Sequence, residues 1–93
     1  MKFSIEKKYN TANMMRKIGY HFKRGPNPSF YRPLDRNDFP RFHIYLKENE
    51  NNIIFNLHLD QKRPVYNKTT AHSGEYDSDI VKKEAQRIKD ILK

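Results

Sequence analysis

The chain has 93 residues, 19 Lys and Arg against 11 Asp and Glu, a net charge of +8, and no cysteine. Its length suits one small domain with a thin core, and the lack of cysteine excludes a disulfide framework, a cysteine-ligated zinc ribbon and a cysteine nucleophile. No apolar run approaches the ~20 residues that cross a bilayer, and Met1 to Tyr9 hold no apolar leader core, so a cytoplasmic protein without a membrane partner is expected.

The charge is unevenly placed. Residues 1–47 carry +8, residues 48–77 carry −2 and residues 78–93 carry +2. A concentrated positive field attracts polyanions and speeds encounter with them. Nucleic acid, with RNA favoured, is the partner this predicts. An acidic protein is the alternative, and a basic surface that serves solubility alone is a third.

Along the chain, Thr11 suits an N-cap, and Ala12, Met15 and Ile18 follow at helical spacing. Gly19 suits the helix end. Ile5, Tyr9 and Ala12 continue the same stripe backwards, so the helix could begin as early as Ser4. Tyr20 to Lys23 alternate as a short strand. Residues 24–40 then form a proline-rich connection, with Ser29 to Arg32 as a brief extended piece; proline there argues against a central strand.

The clearest element is a hairpin. Phe42, Ile44 and Leu46 alternate with His43, Tyr45 and Lys47. Ile53, Phe55, Leu57 and Leu59 alternate with Ile54, Asn56, His58 and Asp60. Residues 61–77 make a long loop, and Asp77 or Ser78 caps a last helix. Ile80, Val81, Glu84, Ala85, Ile88, Ile91 and Leu92 form that helix's inner stripe. The predicted fold class is α+β, one domain over residues 1–93. Its order is α-β-β-β-α, with an antiparallel three-stranded sheet and both helices on one face. The core list is Phe42, Ile44, Leu46, Phe55, Leu57, Leu59, Ile80, Ala85, Ile88 and Ile91.

Side-chain direction constrains the hairpin register. Both apolar sets must share the core face, so the numbers of paired residues sum to an odd number. A sum of 101 closes a four-residue turn, sets His43 opposite His58 and Arg41 opposite Asp60. A sum of 99 sets His43 opposite Asn56. In either register the two histidines are neighbours, roughly 5–8 Å apart at Cβ, on the face away from the core.

His43, His58 and Asp60, joined by His72 if the 61–77 loop folds back, are the candidate catalytic group: two imidazoles and a carboxylate can do acid–base work on a phosphodiester. The same donors suit zinc or manganese, but no spacing motif supports a metal, so neither a metal site nor a cofactor is assigned. The plainer reading, which the lack of a motif favours, is ordinary polar residues on a solvated face. Lys23, Arg24, Arg32, Arg36, Arg41, Lys82 and Lys83 are the candidate nucleic-acid contacts. Phe30 and Tyr31 beside these arginines can stack on unpaired bases.

The layout resembles the double-stranded-RNA-binding domain. Gly25-Pro26-Asn27-Pro28 falls where that family has a Gly-Pro loop, and Lys82-Lys83-Glu84-Ala85 resembles the basic start of its phosphate-touching helix. The chain also resembles the HicA-type mRNA interferases, through Met14-Met15-Arg16-Lys17-Ile18-Gly19-Tyr20 and Lys23-Arg24-Gly25. That family continues with Gly-Ser-His, where this chain has Pro28-Ser29-Phe30. Phe55 to Pro64 with Ala71 to Tyr76 is similar to small bacterial or archaeal proteins of unknown function. The resemblances imply an RNA-binding protein. They leave open a toxin–antitoxin interaction module and a HicA-like ribonuclease using His43 and His58.

Overall fold

Strict alternation along two strands organises this chain. In a computed structural model, which describes residues 1–8, 10–61, 74–75 and 78–93, β4 (Arg41–Glu48) and β5 (Asn52–Asp60) form the central antiparallel pair. Their register is the one that sets His43 opposite His58 and Arg41 opposite Asp60. The turn is fixed by Asn49, whose backbone N–H donates to Asn52 O at 2.9 Å and whose side chain accepts from Asn51 and Asn52.

The sheet grows outward on both sides of this pair. β3 (Ser29–Pro33) pairs with β4, and β2 (His21–Lys23) pairs with β3. β1 (Lys2–Glu6) lies against the far side of β5. The result is an antiparallel sheet of order β1-β5-β4-β3-β2, with a two-residue β6 (Gly74–Glu75) paired to β5 at Leu59 and Asp60. Two helices are described: α1 (Thr11–Lys17) and α2 (Asp79–Ile91).

The three-stranded α-β-β-β-α layout is therefore not the fold, which among the described residues is a β-rich α+β arrangement of five strands joined by the two-residue β6. It also departs from the strand count on which the likeness to double-stranded-RNA-binding domains and HicA proteins rested. Two segments account for the difference. Lys2 to Glu6 is a strand, although the first helix was expected to begin as early as Ser4, because Phe3 and Ile5 alternate onto the apolar face opposite Phe55 and Ile53. That placement covers an edge of β5 that would otherwise be open to foreign pairing. Ser29 to Pro33 is an inner strand in spite of its prolines, because Pro33 falls at its last paired position.

Helix boundaries shift by local chemistry. Asn10, not Thr11, caps α1, its side chain accepting from Asn13 N at 3.1 Å. Gly19, at φ 91°, releases the chain towards β2. Ser78 caps α2, accepting from Val81 N.

One cluster holds the core. Met14, Met15 and Ile18 of the α1 segment and Tyr20 meet Phe42, Ile44, Ile53, Phe55, Leu57 and Leu59 of the sheet and Val81, Ala85, Ile88 and Leu92 of the last helix. Leu46 and Ile91 pack at its margin. Ile80, expected inside, is 50% exposed: at about 100° per residue it lies well off the stripe through Val81, Ala85, Ile88 and Leu92. Glu84 takes the inner position instead and is buried. No helix among the described residues is long and apolar enough to cross a membrane.

Candidate functional site

The polar face of the sheet is laid out by the same alternation that builds the core. His21 pairs with Tyr31, Tyr31 with His43, and His43 with His58, giving one cross-strand row over β2, β3, β4 and β5. A second row runs through Lys23 and Ser29 on β2 and β3, and through Tyr45, Asn56 and Lys2 on β4, β5 and β1. A third joins Pro33, Arg41, Asp60 and Gly74.

Within these rows Asp60 ties the two histidines together. Its Oδ2 lies 3.2 Å from His43 Nδ1 and its Oδ1 lies 3.1 Å from His58 Nε2. The other nitrogen of His43, Nε2, is 2.6 Å from Ser29 Oγ. The imidazoles tilt against each other at 4.9 Å, and Tyr45 rests on both, 4.8 Å from His43 and nearly parallel to His58 at 6.0 Å. Burial acts to raise the Asp60 pKa, but the hydrogen bonds from His43 and His58 outweigh it and hold the carboxyl well below the usual range.

The expected solvated patch is in fact sheltered: His43 is 6% and His58 8% exposed. Burial of histidines on a polar sheet face is tolerated when the nitrogens that leave water find partners, and Asp60 and Ser29 supply them to both nitrogens of His43 and to Nε2 of His58.

Arg41 adjoins this cluster. Its guanidinium carbon sits 4.4 Å from the Phe39 ring centre and 4.9 Å from that of Tyr31. Its Nε is buried with no hydrogen-bond partner among the described residues. Stacking of this kind holds a guanidinium flat against the rings.

The sequence-predicted residues divide by face. His43, His58, Asp60 and Arg41 come together. Lys23 is exposed on the same face, one row away. Arg24 and Arg36 are exposed on the connections beyond the strand ends. Arg32 points to the opposite face, where it approaches Glu84 at 3.5 Å. Lys82 and Lys83 are exposed on α2, away from this face. His72 lies outside the described residues. Sequence reasoning missed Ser29, His21 and Tyr45 as members of the site. The alternation of Ser29 and Tyr31 against Phe30 and Arg32 is the signal that would have found the row, and the surrounding prolines obscured it.

Three donor groups, His43, His58 and Asp60, have ligand-type atoms all within 4.8 Å of one another. Comparison of the chain with protein-family models, with curated proteins and with solved structures finds no match to any of them. Function has to be argued from this face of the sheet and its chemistry.

Proposed function

We propose that the protein binds single-stranded nucleic acid, RNA favoured, on the polar face of its sheet, in a cytoplasmic setting that suits a cysteine-free chain. The observation that carries this is the cross-strand array of His21, Tyr31 and Tyr45 beside the stacked Arg41. Rings standing on adjacent strands offer a platform to unpaired bases, and stacking tolerates any base because every base has a π-face. Tyr45 is 38% exposed and His21 is exposed. Lys2, Lys23 and Lys47 share this face by register and are exposed. They are placed to neutralise phosphates along a strand.

His43, His58 and Asp60 enter as the foundation of this platform. Their facing nitrogens and oxygens are engaged with one another and with Ser29, which fixes the rings on which Tyr45 rests. A duplex is the poorer ligand, since its bases are already stacked and paired.

The test is fluorescence anisotropy with short labelled single-stranded RNA, single-stranded DNA and duplex RNA at two salt concentrations. Micromolar binding to single strands, weaker binding to duplex and a log–log salt slope of roughly −2, for about three neutralised phosphates, are expected. No binding to any strand at low salt would contradict the proposal and favour a protein-interaction module.

A further inference from the structure

We infer that His43, His58 and Asp60 form a binding site for a first-row divalent metal ion of the zinc class. The inference stands apart from nucleic-acid binding, because it rests on the donor atoms alone and is tested without nucleic acid.

The site is prepared by the backbone. His58 and Asp60 stand at i and i+2 on β5, so the pleat turns both side chains to one face. His43 sits directly opposite His58 on β4. Three ligands thus rise from two hydrogen-bonded strands rather than from loops, which is the arrangement that holds donors most reproducibly.

The distances fit an ion. A tetrahedral zinc with nitrogen and oxygen ligands at about 2.0–2.2 Å sets its ligand atoms roughly 3.3–3.6 Å apart. His43 Nδ1 and Asp60 Oδ2 are 3.2 Å apart, and His58 Nε2 and Asp60 Oδ1 are 3.1 Å apart. Those two distances end on different carboxylate oxygens, and with one donor atom from each residue no separation in the group exceeds 4.8 Å. An ion held by a single Asp60 oxygen would draw the wider-set donors inward by up to about 1 Å.

The surroundings also fit. A metal-bound histidine ordinarily gives its remaining N–H to an oxygen acceptor, which fixes the ring and the tautomer. With Nδ1 of His43 on the metal, Nε2–H would donate to Ser29 Oγ, already 2.6 Å away and itself buried. Two imidazoles and one carboxylate select zinc-like ions over magnesium or calcium, which require oxygen ligands. Three protein donors leave a fourth position on a tetrahedral ion for water or an anionic oxygen.

The experiment uses the full chain, freed of metal with chelator and dialysed. Zinc titration by calorimetry and cobalt titration by visible absorption should each give one equivalent per chain, with the intense d–d bands of tetrahedral cobalt. Zinc at a hundredfold excess over its Kd should raise Tm by roughly 10 °C or more. His58→Ala and the near-isosteric Asp60→Asn should each weaken binding at least tenfold, and Ser29→Ala about tenfold to a hundredfold. His21→Ala, which removes an exposed histidine of the same face, should leave it unchanged. Circular dichroism confirms that each variant is folded, and Asp60→Asn serves if His58→Ala is not. Failure of the folded wild type to bind one equivalent would overturn the inference. So would binding that survives both His58→Ala and Asp60→Asn.

Discussion

Tyr20 and Glu84, 64 residues apart in sequence, share a buried hydrogen bond of 2.6 Å in which the tyrosine hydroxyl donates. Glu84 also receives Arg87 Nε at 2.7 Å and Arg87 Nη2 at 2.9 Å, and Arg32 of β3 approaches it at 3.5 Å. Arg87 continues to the carbonyl of Ile18 at 2.6 Å. One carboxylate thus ties α2 to the end of α1, to the start of β2 and to β3. Removing the carboxylate leaves the buried Tyr20 hydroxyl without its acceptor and takes the counter-charge from Arg32 and Arg87, whose side chains are about one-third exposed, which costs about 1–3 kcal/mol. Urea denaturation of Glu84→Ala should show a loss of that size. A loss under about 1 kcal/mol would mean the network contributes little.

The same contact makes stability sensitive to high pH. Burial first, and then the neighbouring Glu84 carboxylate, push the Tyr20 phenol well above its usual range. Below pH ~10 the tyrosine is protonated in both states and its contribution is fully present. Above that the unfolded chain releases the proton while the folded chain keeps it, so stability falls by up to roughly 1.4 kcal/mol per pH unit until the folded pKa is reached. Tyr20→Phe should lose stability less steeply than wild type above pH ~10 in denaturation curves. Parallel pH profiles for the two proteins would count against this.

The first strand depends on contacts made far along the chain. Phe3 stacks on Phe55 with ring centres 5.0 Å apart, and Lys89 lies 5.2 Å over the Phe3 ring. Phe3→Ala should cost about 1–3 kcal/mol, since Phe3 is only half-buried. Phe55→Ala, at a fully buried site, should cost about 3–5 kcal/mol. Chemical denaturation that gives the reverse order would contradict the placement of these rings.

These contrasts show where the sequence was legible. Uninterrupted alternation along both strands narrows the hairpin to two registers, and either one makes His43 and His58 neighbours, with Asp60 on the same face. The first strand was misread because Ile5, Tyr9 and Ala12 also satisfy helical spacing. Only the distant partner Phe55 decides between the two periods. The inner strand Ser29 to Pro33 was obscured by Pro28 and Pro33, which bracket it rather than interrupt it. Glu84 stood out as the polar exception on an apolar stripe, but its partners Tyr20 and Arg32 come from segments whose positions depend on the whole sheet. The shelter around His43 could not be read either, since Ser29 reaches it only through the pairing of β3 with β4.

The most direct test of the proposed role compares single-stranded RNA binding by wild type, Tyr31→Ala, Tyr45→Ala and a Lys82→Ala, Lys83→Ala double variant, under one buffer and one salt concentration. If the polar face of the sheet is the interface, each tyrosine variant should raise Kd roughly 5- to 150-fold, the equivalent of about 1–3 kcal/mol per stacked base, while the lysine variant on α2 binds much as wild type does. Tyrosine variants that bind like wild type, together with a lysine variant that does not, would place the interface on α2 and contradict the account.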